Sequence, residues 1–169
     1  MTKKATGNQV EREAVKRYLQ QYHAAKQKKR ILEERHRVLS AELRGPTTAP
    51  AFRTMPTAKP VHPDGAGAVV FQIADVEERI QKQQAEMARA VQNVMDIIDL
   101  LPIGSMERTV VEMRHIDCKK WDRIASEIHM SRSRVIDYYN AALDALAENE
   151  RARNLAAQHN AAVVAAHKK

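Results

Sequence analysis

The chain has 169 residues, a formal net charge of +7 and only 4% aromatic residues. Such a composition leaves little material for a large globular core, and one cysteine, Cys118, excludes a disulfide framework within the chain and suits a reducing interior. The abundance of Ala, Leu, Lys, Arg, Glu and Gln predicts an elongated, all-α protein, while the absence of a signal-like apolar run in "MTKKATGNQVEREAVKR" or of a membrane-length apolar segment predicts a soluble, cytoplasmic one with no membrane partner.

Residues 1–44 form the first predicted element, a basic N-terminal helix that is regular from about Asn8 to Leu43. It carries twelve Lys or Arg against five acids, so most of the net charge sits here. An apolar stripe steps by three and four through Val15, Tyr18, Tyr22, Ala25, Lys29, Leu32, His36, Leu39 and Leu43, a heptad seam interrupted by Lys29 and His36. Those two residues read as specificity devices or wet ends of the seam. "KQKKR" at Lys26 to Arg30 either tracks phosphates, meets RNA polymerase, or forms a solvated face that offsets an acidic neighbour.

Between Arg44 and Gly67, "RGPTTAPAFRTMPTAKPVHPDGAG" holds five of the six prolines, so residues 45–68 are predicted to be a linker or loop. A second helix is predicted over residues 69–101. Its seam runs through Val69, Ile73, Val76, Ile80, Gln83, Met87, Ala90, Val94, Ile97 and Leu101, and it is net acidic, with three Lys or Arg against six acids. The two stripes, ~42 Å and ~48 Å long, match in length and oppose in charge, which favours pairing as a long coiled-coil-like hairpin. The linker, able to reach ~70 Å if extended, leaves parallel or intermolecular pairing open as well.

"LPIGS" breaks this helix, and Ser105 is placed to cap a third, "MERTVVEMRHI". Then comes "WDRIASEIHMSRSRVIDYYNAAL", which reads as helix, turn and helix. Ile124, Ala125 and Ile128 give the first helix its inner face, Met130 fills the corner, and Ser131 caps the second helix. Val135, Tyr138, Ala142, Leu143 and Leu146 form that helix's inner stripe. What remains is a face of Arg132, Ser133, Ile136, Asp137 and Asn140, with Arg134 at its flank.

Such a face suits a DNA major groove, where arginine can grip guanine or phosphate, asparagine can grip adenine, and an apolar group can touch a thymine methyl. Lys119, Lys120 and Arg123 are placed to hold phosphates. The reader over residues 102–147 is electrically balanced, with seven basic and seven acidic residues, and an alanine-rich tail, predicted to be a helix that continues and frays, occupies residues 148–169.

These residues carry a resemblance. "WDRIASEIHMSRSRVIDYYNAALDAL" resembles the helix-turn-helix of sigma-70 region 4. The wider layout, from "REAVKRYLQQY" through a proline-rich gap and "IIDLLP" to "ERTVVEMRHIDCKKWDRIASEIHMSRSRV", is similar to phage regulators of the ArpU and RinA type. The resemblance implies a phage or prophage transcription regulator acting in a bacterial host cell, an activator of late genes, with double-stranded DNA and host RNA polymerase as partners and a homodimer or higher oligomer as its state. Two departures imply a target unlike an ordinary promoter −35 element: His129 stands where glycine is usual, and Ser133, Ile136 and Asp137 replace that family's polar base-reading set. A small-terminase-like DNA-packaging subunit and a coiled-coil interaction protein with a vestigial reader stay open as rivals. His115 and Cys118 lack a second ligand pair for a structural zinc, and no nucleophile and base or phosphate loop is recognisable, so no metal, cofactor or enzymatic activity is expected.

Overall fold

The structure, a computed structural model, describes residues 2–44 and 64–166, and it is all-helical over them. The elements are α1 (Thr2–Arg44), α2 (Asp64–Ile98), α3 (Met106–His115), α4 (Trp121–Glu127), α5 (Arg132–Glu148) and α6 (Glu150–Ala166). Helix α2 begins five residues before the expected Val69, so the proline-rich segment gives up its last residues to a helix; the rest of it lies outside the described residues. Among the described residues, no helix is long and apolar enough to cross a membrane.

The chain divides into two compact units, one of residues 1–25 and 87–169, the other of residues 26–86. This differs from the expected boundary at Pro102, because the start of α1 and the end of α2 belong with the C-terminal helices. The cause is burial. Val15, Tyr18 and Leu19 of α1 join Val94, Ile97, Ile98 and Leu101, then Val110 and Val111 of α3, Ile124 of α4, Val135, Tyr139, Ala142, Leu143 and Leu146 of α5, and Ala152 and Ala156 of α6 in one apolar cluster. Helices as short as α3 and α4 are marginal alone and draw their stability from such packing.

Two differences from the expected stripes follow from this shared core. Leu19 and Ile98 lie off the seams of a two-helix pair yet are fully buried, because a bundle covers a second stripe on each helix. On α5 it is Tyr139, not Tyr138, that turns inward, and Tyr138 is half-buried. Stepping from Val135 by four, three and four reaches Tyr139, Ala142 and Leu146, which lie on one helical stripe.

The tail is not a continuation of α5. Asn149 leaves the helix with ψ 119°, and its side-chain oxygen then accepts from the backbone N–H groups of Arg151 and Ala152 at 2.9 and 3.3 Å, capping a new helix. The alanines at 152 and 156 let α6 lie close against the core.

In the unit of residues 26–86, Lys28 Nζ lies 3.7 Å from Glu86 and His36 Nε2 lies 2.9 Å from Glu77. Numbers rise along one segment as they fall along the other, so these stretches of α1 and α2 run antiparallel. Val76 and Gln83 are buried. Two helices cover only a narrow seam, and Ile31, Val38, Leu43, Val70 and Phe71 are exposed, Phe71 at 79%.

Candidate nucleic-acid interface

The candidate surface is built by α3, α4 and α5. Ser105 opens α3 by accepting from the Arg108 N–H at 3.2 Å, as its sequence position predicts. At the far end of α3, Cys118 adopts φ 57° in the turn to α4, and Arg114 braces that turn by donating to the Lys119 carbonyl at 2.7 Å while lying 4.7 Å over the Trp121 ring. The Cys118 thiol faces the carbonyls of His115 and Ile116.

Helix α4 ends in a Schellman turn. The Met130 N–H donates to the Ala125 carbonyl at 3.0 Å and the His129 N–H to that of Ser126 at 3.4 Å, which requires a left-handed residue between the two helices. His129 fills that position at φ 53°. The chain then turns into α5 under the Ser131 cap, whose hydroxyl accepts from the Arg134 N–H at 3.3 Å.

From this start, α5 presents two faces. Val135, Tyr139, Ala142, Leu143 and Leu146 enter the core, while Arg132, Ser133, Asp137 and Asn140 are exposed and Ile136 is half-buried beside them. Arg134 lies 5.1 Å over the Tyr138 ring, which holds it at the flank. Arg132 contacts Asp122 of α4 at 3.4 Å, an exposed pair that a stronger anion can displace at little cost.

The three basic residues ahead of α5 are not equivalent. Lys119 is half-buried and divided between Glu127 at 2.7 Å and Asp117 at 3.0 Å, and Arg123 also pairs with Glu127 at 2.8 Å. Hydrogen bonding from Lys119, then from Arg123, pulls the Glu127 carboxyl below its ordinary pKa, and the same carboxylate raises that of Lys119. Lys119 therefore braces the loop between α3 and α4. Lys120, at the N-cap of α4, is exposed and in no ion pair among the described residues.

One neighbour of this face carries no sequence signal. Arg12 of α1 donates through Nε to Asp144 at 3.1 Å and through its terminal nitrogen to Asn140 Oδ1 at 3.3 Å. The two partners lie more than 120 residues away in sequence, so only the packing of α1 on the C-terminal helices reveals the contact. Glu127, by contrast, stands four residues after Arg123, a spacing that signals an ion pair on any helix.

The surface thus belongs to a compact helical unit that offers solvent one capped helix with arginine, serine and asparagine along it. The chain matches no protein-family model, and no significant match to it is found among curated proteins or solved structures.

Proposed function

We propose that this chain is a sequence-specific DNA-binding transcription regulator of the phage late-regulator kind, in which α4, the His129 turn and α5 act as a helix-turn-helix. The observation that carries the reading is the division of α5 between a buried stripe and an exposed face of Arg132, Ser133, Asp137 and Asn140. A recognition helix enters the major groove by its first turns, and these turns of α5 are open. Arg132 then exchanges Asp122 for guanine O6 and N7 or for a phosphate, and Lys120 takes a backbone phosphate. Lys119 and Arg123, tied to Glu127, set the shape of the approach.

The antiparallel stretches of α1 and α2 are read as the coiled-coil-like hairpin of the same regulator. Their exposed Ile31, Val38, Val70 and Phe71 favour self-association or engagement of RNA polymerase. A second copy of a small reader supplies a second half-site, so a homodimer is expected by native mass spectrometry. A closed ring of many copies would favour a DNA-packaging role instead.

The direct test is selection of duplexes from a random-sequence pool by the full chain, followed by fluorescence anisotropy at physiological salt. A preferred sequence is expected. Arg132→Ala should weaken binding to it by about 1–3 kcal/mol and leave random DNA nearly unchanged. Lys120→Ala should weaken both and lower the salt slope by about one. No enrichment of any sequence by the wild-type chain overturns the reading.

A further inference from the structure

We infer that Arg12 is a specificity-determining positioning residue, fixing the Asn140 amide so that its NH2 group is the part offered to a base edge. The inference rests on the DNA-binding reading above and deepens it. Arg12 carries only donors, so the Asn140 atom 3.3 Å away must be the carbonyl oxygen. An asparagine amide, whose two ends are alike in shape, is here oriented by chemistry. Nδ2 lies at the opposite end of the amide, on an exposed residue, and makes no hydrogen bond among the described residues.

The orienting group is itself held from two sides. Asp144, one turn beyond Asn140 on α5, accepts from Arg12 Nε at 3.1 Å and fixes the plane of the guanidinium. On α1, Val15 and Leu19 follow Arg12 by one and two turns and are fully buried, so the stem of Arg12 rises from an anchored helix. Arg12 is therefore presented to α5 as a fixed fork, part of the reading surface although it comes from the other end of the chain.

The chemical consequence concerns which base is tolerated. A purine N7, a guanine O6 or a thymine O4 can accept from Nδ2, whereas the major-groove edge of cytosine presents an N4 donor. The base facing Asn140 should therefore be anything but cytosine. Without Arg12 the amide is free to turn its oxygen outward, and cytosine becomes acceptable.

The test uses the full chain and the duplex it selects, with each base placed in turn at every position. For wild type, cytosine at one position should cost about tenfold or more in affinity. Arg12→Met keeps the apolar stem and removes the donors; it should shrink that penalty to about twofold at that position alone, leaving preferences elsewhere intact. Asn140→Ala should flatten the same position, and adding Arg12→Met to it should change nothing further. Arg12→Lys, which keeps one donor, should restore part of the penalty, a result that loss of packing alone does not give. A uniform loss of affinity in Arg12→Met with the cytosine penalty intact overturns the inference while sparing the DNA-binding reading, and so do additive effects of the two substitutions. A wild-type chain with no sequence preference overturns both.

Discussion

His115 and Tyr139 join α3 to α5 by a buried polar contact: the imidazole Nε2 lies 3.1 Å from the tyrosine hydroxyl, with the rings 5.7 Å apart and inclined by 25°. The imidazole is 4% exposed. Burial, reinforced by the neighbouring Arg114, holds the His115 pKa down to about 4, and burial pushes the Tyr139 hydroxyl up to about 12. Both groups are neutral near neutral pH.

Stability should fall on acidification for this reason. The unfolded chain binds a proton at His115 below pH about 6.5, whereas the folded chain resists until about 4. The contribution is therefore complete above the unfolded value and is lost as pH falls through that window, by about 1.4 kcal/mol at pH 5.5 and about 3 kcal/mol in full. Urea denaturation at pH 7.0, 5.5 and 4.5 measures it. Wild type should lose midpoint steadily, and His115→Phe should lose less; equal slopes would show that another group controls the transition.

The left-handed turn at His129 makes a prediction of opposite sign for two substitutions. A non-glycine residue in this conformation costs about 1–2 kcal/mol, part of which glycine returns as chain entropy. His129→Gly should stabilise by up to about 1 kcal/mol, and the β-branched His129→Val should destabilise by about 1 kcal/mol or more. Thermal unfolding of both variants decides it. An unchanged melting temperature for His129→Val would mean that the turn relaxes out of this conformation.

Helix α6 is expected to be a fixed part of the fold. Ala152 and Ala156 are fully buried, and a leucine at 156 adds volume that a close-packed core accepts only by shifting, at about 1–3 kcal/mol. Asn149→Ala removes the oxygen that serves two backbone donors and should cost about 1 kcal/mol. Limited proteolysis should cut Ala156→Leu after Glu148 faster than wild type. Equal rates would leave α6 undocked in both.

Much of the architecture was readable from spacing. Val76, Gln83, Ala90, Val94, Ile97 and Leu101, six members of the predicted α2 stripe, are buried, and both serine caps form where the sequence places them. What spacing leaves out is the number of helices that meet. A two-helix seam explains Val15 and Tyr18 but not Leu19, and it assigns no role to Arg12. The same holds for charge. Lys119 looks like a phosphate ligand until Asp117 and Glu127, one two residues before it and one eight after, are seen to enclose it. Arg132, Ser133 and Asn140 are exposed as their pattern predicts, because a helix with one apolar stripe must turn its other side to water.

The shared core also has a consequence for synthesis on the ribosome. Val15 and Leu19 are made well over a hundred residues before the alanines that complete their cluster, at 152 and 156. Until those emerge, the early apolar surface has no permanent cover and must be shielded by transient contacts or chaperones. A shortened fragment starting at Pro102 would keep α5 but lose the wall it is built upon.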